Sequence, residues 1–170
     1  DYYGIHPYST PTKTTPLHAV NLLNNTKFKN NFESIGVLRT FLTRHGNGPL
    51  HTEFKDDDIT LCLDDDNKHN EWQGHFREGW QDLVMLRYAI NAIKQDGCKI
   101  DSLAITHCDK LKTFEGLDWK IRVASKFFND EEINLKSVKS HSIPSFISQS
   151  LNIPIKILSH GKTHEDKSYL

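Results

Sequence analysis

Residues 79–109 read GWQDLVMLRYAINAIKQDGCKIDSLAITHCD, and this stretch decides the fold. Trp80, Leu83, Val84, Leu86, Ile90 and Ile93 recur at helical spacing, which predicts an amphipathic helix over 80–93 that Gly97 helps to end. Residues 100–106 follow as a run dominated by apolar side chains and read as a buried strand. A helix feeding such a strand is the repeat unit of an α/β sheet. Ligands in these sheets bind beyond the carboxyl ends of strands, so His107, Cys108 and Asp109 stand where chemistry is to be sought.

Working outward, the alternation continues. Thr15-Pro16 before Leu17, Ala19, Val20, Leu22 and Leu23 predicts a short capped helix with Pro16 at its first position, where a missing N–H costs nothing. Residues 34–45, with Ile35, Val37, Leu38, Phe41 and Leu42, read as one strand running into a glycine loop. Residues 119–124 and 153–158 read as strands and 144–151 as a helix. The acidic stretch 56–66 surrounds Ile59, Leu61 and Leu63, and no state is assigned to it. Pro and Gly are scattered and nothing repeats, so a single domain is expected, with a central, mostly parallel sheet flanked by helices.

Composition removes several function classes. Among 170 residues the formal net charge is -1, which provides no positive field for general nucleic-acid binding. There is no long apolar run or signal peptide, and Cys62, Cys98 and Cys108 are odd in number and unpatterned. These features predict a reducing, cytoplasmic setting without membrane contact. A mean hydropathy of -0.58 is polar for a compact monomer, which suggests that more polypeptide covers part of the surface. The chain opens at Asp1 and its only methionine is Met85, so further chain is expected upstream.

Four segments could carry chemistry. In Thr43-Arg44-His45-Gly46-Asn47-Gly48-Pro49 two glycines would let the backbone approach ribose or phosphate oxygens, although a plain glycine turn fits the same residues. In Trp72-Gln73-Gly74-His75-Phe76-Arg77, Arg77 could grip a carboxylate by forked donation, or could be an ordinary solvated loop arginine. Asp109 could accept from the N1–H and 2-amino group of a guanine, or simply cap the next turn. The last segment is Ser159-His160-Gly161. His107, Cys108 and Asp109 are metal-ligand types, but no second Cys or His pair sits at zinc-like spacing, and the ten histidines are dispersed.

In order and approximate spacing, these segments resemble the C-terminal half of adenylosuccinate synthetase. Gly4-Ile5-His6-Pro7-Tyr8-Ser9-Thr10 is similar to that family's G-T-Y-P-[YF]-V-T segment. Gly36-Val37 through Glu53 is similar to G-V-x-x-x-Y-x-T-R-V-G-x-G-P-F-P-T-E. Gly79-Trp80-x-Asp82-Leu83-Val84 resembles its G-W-[LF]-D-x-V helix, Thr106-x-x-Asp109 its T-K-L-D segment, and Ser159-x-Gly161 its terminal S-x-G.

The resemblance implies a P-loop-related α/β domain of which residues 1–170 form the C-terminal portion. The implied activity is a ligase joining L-aspartate to a 6-oxopurine nucleotide through a 6-phosphoryl intermediate, with GTP or ATP as co-substrate and Mg²⁺. It implies that Thr10, Arg44, His45 and Gly46 meet the purine nucleotide, and that Gln73, Gly74, His75 and Arg77 form the loop over aspartate and the phosphoryl group. His107, Asp109, Ser159 and Gly161 would surround the triphosphate's base. A homodimer is also implied.

The glycine-rich phosphate loop, the catalytic residues and the Mg²⁺ contacts of that family belong to an N-terminal half absent from these residues. The segment alone is therefore expected to be inactive, with that half as its required partner. His107 replaces a lysine that covers guanine, and Glu71-Trp72-Gln73-Gly74-His75-Phe76-Arg77 replaces an arginine-rich loop. That loop looks more like the phage-type 2-aminoadenylosuccinate synthetases acting on dGMP, so both IMP and dGMP stand as substrates. A nucleotide-binding pseudoenzyme or regulatory module is the alternative.

Overall fold

The computed structural model describes residues 7–9, 14–29, 31–55, 71–113, 118–124 and 133–170. Three parallel strands organise it: β1 (Ile35–Arg39), β5 (Ser102–Thr106) and β8 (Ile155–Ser159), joined by antiparallel β9 (Lys167–Tyr169) in the order β1-β5-β8-β9. This is the expected α/β sheet. A hairpin of β2 (Leu42–His45) and β3 (Phe76–Gly79) stands beside it. A second sheet orders β4 (Gln81–Asp82), β6 (Asp118–Ala124) and β7 (Asn134–Lys139), with β4 parallel to β6.

The helices are α1 (Leu17–Asn24), α2 (Leu83–Gln95), α3 (Cys108–Thr113) and α4 (Ile143–Leu151). The α2 helix begins where Asp82 accepts from the backbone N–H groups of Val84 and Met85, and Gly97 follows its end at φ 72°. Asn152 ends α4 in the left-handed region at φ 54°.

Sequence and structure differ at four places. Residues 34–45 are two strands in two sheets, because Thr40 and Phe41 are fully buried at the crossing. There Thr40 Oγ1 donates to the His107 carbonyl at 3.1 Å, and Phe41 enters the core. The helix expected from residue 80 starts only at Leu83, since Gln81 and Asp82 pair with Ile121 and Arg122. Pro16 is the residue before α1 rather than its first position, and Thr15 donates to Asp96 Oδ2 at 2.7 Å instead of capping. Arg77, read as a loop arginine, lies within strand β3. Residues 56–66 lie outside the described residues.

The core lies between the two sheets, α2 and α4. Phe41, Trp80, Leu83, Ile105, Trp119, Ile121, Ile143 and Ile147 are its buried members, with Trp80 and Trp119 edge to face at 5.7 Å. Each such side chain contributes about 1.5–3 kcal/mol by leaving water. One ion pair is buried among them, Arg122 Nη1 to Asp82 Oδ2 at 3.0 Å. Gln81 Nε2 donates to the Arg39 carbonyl at 2.6 Å, which ties this hub to the end of β1.

Candidate functional site

The carboxyl ends of β1, β5 and β8 surround a cavity of about 700 Å³ lined by Arg39, Thr106, His107, Asp109, Ser159 and Gly161 together with Lys110 and Lys162. The chain turns sharply after β5, with His107 in the left-handed region at φ 61°. Thr106 Oγ1 donates to the Leu38 carbonyl at 3.1 Å and lies 3.0 Å from His107 Nδ1, while the imidazole meets the Phe41 ring edge-on at 5.4 Å. The imidazole is thus fixed from two sides. Asp109 sits in the first turn of α3.

The far wall is an equally determined turn. Ser159 is buried and donates through Oγ to the Gly161 carbonyl at 3.2 Å. A Cβ on Gly161 would lie 2.5 Å from the Asp166 carboxyl, so only glycine fits there without a shift. Asp166 accepts from the backbone N–H and the hydroxyl of Thr163 at 2.8 Å each, and these bonds hold its carboxyl below the usual carboxylate range. Lys167 Nζ donates to the carbonyls of Gly161 at 2.7 Å and Thr163 at 2.6 Å.

Cys108, between the two candidate ligands, is not a nucleophile. Burial pushes its thiol up to about 11 although the Ser159 N–H pulls the other way, and Sγ donates to the Ile105 carbonyl at 3.3 Å.

A second cavity of about 480 Å³ lies over the β2–β3 hairpin, lined by Tyr8, Ser9, Arg44, His45, Gly46, Gln73 and Gly74 among others. Gly46, at φ 78°, approaches so closely that a Cβ there would be 2.5 Å from the Gln73 carbonyl oxygen. Arg44 donates to the carbonyls of Asn47 at 2.9 Å and Tyr8 at 2.6 Å. His45 packs edge-on against Phe76 at 5.2 Å, and its Nε2 is buried with no hydrogen-bond partner among the described residues.

Arg77 lies beneath this cavity. Its guanidinium grips both oxygens of Glu53, Nε to Oε1 at 2.7 Å and Nη2 to Oε2, while Nη1 donates to the carbonyls of Gly46 at 2.9 Å and Gly48 at 2.8 Å. The paired guanidinium holds the Glu53 carboxyl below its ordinary range. Gly46 N–H donates to the His75 carbonyl at 2.9 Å, so both backbone groups of Gly46 are already used within the protein.

The structure therefore brings His107, Asp109, Ser159 and Gly161 to one cavity and Arg44, His45, Gly46, Gln73 and Gly74 to another. His75 meets the second group through its backbone, and Arg77 holds the loop from below. Thr10 lies outside the described residues. Sequence reasoning missed Arg39, Lys110 and Lys162 as cavity residues; their positions at or a few residues after strand ends were the available signal. Among the described residues no three His, Cys, Asp or Glu side chains converge as a metal site, and no helix is long and apolar enough to cross a membrane.

The family model of adenylosuccinate synthetase matches residues 2–143. The adenylosuccinate synthetase of Hydrogenobaculum sp. is 28% identical over 98% of this chain and 46% of its own length. That of Sordaria macrospora is 36% identical over 73% of this chain and 27% of its own. Among solved structures, fully ligated adenylosuccinate synthetase from Plasmodium falciparum aligns at a TM-score of 0.69 and 20% identity, over 98% of this chain and 46% of that one. Cyanophage S-2L succinoaminodeoxyadenylate synthetase, bound to dGMP and dATP as an energy donor, aligns at 0.57 and 14%, over 99% and 42%. At these identities the two structures speak for the fold alone. The chain spans about half or less of the length of the curated relatives it matches. By the family match and the collinear residues, the chain belongs to the adenylosuccinate synthetase family.

Proposed function

We propose that this chain is the nucleotide-binding C-terminal portion of a ligase that joins L-aspartate to a 6-oxopurine nucleotide. The observation that carries the reading is the cavity at the ends of β1, β5 and β8, where four residues taken from the resemblance meet. Asp109 is the acceptor for the triphosphate's base, its carboxyl oxygens taking hydrogen bonds from a purine N–H and amino group. His107 packs over the base where the family resemblance implies a lysine. The hairpin cavity receives the purine nucleotide through Arg44 and His45, with Gln73 and Gly74 closing over aspartate.

As the purine N1–H gives up its proton, the 6-oxygen attacks the γ-phosphorus and the bond to the β–γ bridging oxygen breaks, leaving a nucleoside diphosphate. The aspartate amine then attacks C6, the C6–O bond breaks, phosphate departs with the electron pair, and the amine loses a proton. Positioning and charge stabilisation are the protein's contribution. Mg²⁺ would accompany the triphosphate, but the described residues gather no ligand set that fits it, and no step is assigned to it. We place the phosphate loop and the catalytic residues in the half of the family fold that this chain does not span, with cytoplasmic location and homodimer formation as parts of the same reading.

A second reading is favoured by Arg77, whose donors are committed to Glu53 and two glycine carbonyls instead of facing the cavity. It is a nucleotide-binding pseudoenzyme without turnover. Incubating the full gene product, and this segment with and without its upstream half, with L-aspartate, Mg²⁺, GTP or ATP, and IMP or dGMP separates the two by mass spectrometry. A succinyl-purine nucleotide from the complete protein is the expected product, and IMP or dGMP as its source fixes the branch. Nucleotide binding with no product in any combination leaves the pseudoenzyme.

A further inference from the structure

Along one edge a 2-amino-6-oxopurine presents both kinds of hydrogen-bonding group. The N1–H and the 2-amino group donate, and the 6-oxygen accepts. In the cavity at the ends of β1, β5 and β8 the Asp109 carboxyl oxygens serve the donors. The 6-oxygen needs an N–H from another side chain of the same cavity.

His107 does not supply it. The Thr106 hydroxyl has one hydrogen and gives it to the Leu38 carbonyl at 3.1 Å, so in its 3.0 Å contact with His107 the donor is Nδ1. A neutral imidazole protonated at Nδ1 carries a lone pair and no hydrogen on Nε2. Where the family resemblance implies a lysine, this chain therefore holds an acceptor.

Among the described residues, Arg39, Lys110 and Lys162 are the cations that line the cavity. Arg39 directs Nη1 to the Thr43 hydroxyl. Lys110 follows Asp109 in α3, and consecutive helical side chains diverge by about 100°, so it points off the edge that Asp109 meets. Lys162 stands on the facing turn, and the peptide groups on both sides of it are pinned. The Gly161 carbonyl accepts from Ser159 Oγ at 3.2 Å and from Lys167 Nζ at 2.7 Å. Thr163 donates its N–H to Asp166 at 2.8 Å, and its carbonyl accepts from Lys167 Nζ at 2.6 Å. The turn uses Lys167 as an internal brace and presents Lys162 to the cavity from a fixed backbone.

We propose that Lys162 is a specificity-determining residue of this chain, its ammonium donating to the 6-oxygen of the triphosphate's base while Asp109 takes the donors beside it. The cation has moved from position 107 to the Gly161 turn. The proposal rests on the reading of this cavity as the site of the triphosphate's base. An adenine brings a 6-amino group to the same ammonium, and two donors then face each other.

The test measures binding of GTP, ITP and ATP to the full gene product by calorimetry, with IMP or dGMP saturating the hairpin cavity. ITP keeps the 6-oxygen and lacks the 2-amino group, so it separates the work of Lys162 from that of Asp109. Lys162→Met is expected to weaken GTP and ITP alike by about tenfold, the effect of one charge-assisted hydrogen bond, and ATP by less than about twofold. Lys162→Arg, which still donates, should keep the preference, and Asp109→Asn should weaken GTP more than ITP. Lys162 is exposed, so its variants should unfold at the wild-type midpoint and a lost affinity is not a lost fold. Equal weakening of all three triphosphates overturns the proposal, since the ammonium then serves the phosphates. So does unchanged binding in Lys162→Met, or a GTP and ITP loss that appears in Lys110→Met instead. Those results leave the cavity a nucleotide site. A wild-type protein that binds none of the three removes that reading, and the role of Lys162 with it.

Discussion

The two cavities are built in opposite ways. The one at the ends of β1, β5 and β8 takes its shape from backbone: parallel register, the left-handed turn at His107 and the Gly161 turn braced by Asp166. The one over the β2–β3 hairpin takes its shape from side chains, with Arg77, itself held by Glu53, tying glycine carbonyls from below and Arg44 reaching to Tyr8. A site made of strand ends inherits the rigidity of the core. A site made on two four-residue strands is only as firm as its polar braces, and those are partly exposed, with Arg77 and Glu53 side chains 23% and 39% accessible.

The largest expected effect is one that abolishes the contrast by striking what both sites share. Asp82 holds the buried Arg122 and caps α2. Asp82→Ala strands a guanidinium in the core and should cost about 3–5 kcal/mol. Since domain stability is about 5–15 kcal/mol, urea unfolding should show most of it gone, with nucleotide binding lost at both cavities. A midpoint unchanged from wild type would mean that Arg122 finds another partner.

Next in size is a change confined to the strand-end cavity. Asp109→Asn keeps the shape and removes the charge, and one charge-assisted hydrogen bond is worth about 1.5–3 kcal/mol. The triphosphate should bind roughly tenfold or more weakly by calorimetry, with unfolding and binding of the purine monophosphate unaffected. Equal weakening of both nucleotides would mean that the cavities are not separate sites.

Arg77→Lys should do the reverse. It removes the fork to Glu53 and the donors to Gly46 and Gly48, so purine monophosphate binding should fall while triphosphate binding stands. The exposed pair limits the stability loss to about 1 kcal/mol. Its pH dependence has a definite sign. The Glu53 carboxyl is depressed in the folded state, so its contribution is present above the unfolded carboxylate range and is lost as pH falls through the lower folded value. Wild type and Arg77→Lys should therefore converge in stability in acid, and a gap that persists there would remove Glu53 as the partner that matters.

The contrast also explains what was legible in the sequence. The strand-end cavity was legible because β5 is an unbroken buried run and the ligand position after such a strand follows from topology, with Asp109 and Gly161 read directly. The hairpin was not. Phe76, Arg77, Glu78 and Gly79 carry no strand signal by themselves and become one only by pairing with residues 42–45. Arg77 looked like a ligand-facing arginine because its partner Glu53 is 24 positions away in the chain. Gln81 and Asp82 fit the helical period, yet they are buried polar residues held by Arg39 and Arg122, and tertiary pairing overrode the local pattern. Strand β7 has apolar side chains only at Leu135 and Val138 and is mostly exposed at the edge of its sheet, so it gives no buried run.

The smallest effect tests how closed the strand-end site is from the side of the core. Cys108 stands beside Asp109 in sequence but points inward, 2% exposed, its thiol held as the neutral form by burial. Cys98, after α2, is half-buried. Alkylation near neutral pH attacks the thiolate, so Cys98 should be modified while Cys108 stays intact until the fold opens. Peptide mapping after graded exposure to iodoacetamide would read the order. Because Cys108 reports opening of the β5–α3 corner and Cys98 does not, added nucleoside triphosphate should slow only Cys108. If Cys108 reacted first, the wall behind Asp109 would be mobile, and the rigidity assigned to the strand-end cavity would have to be reassigned to the hairpin.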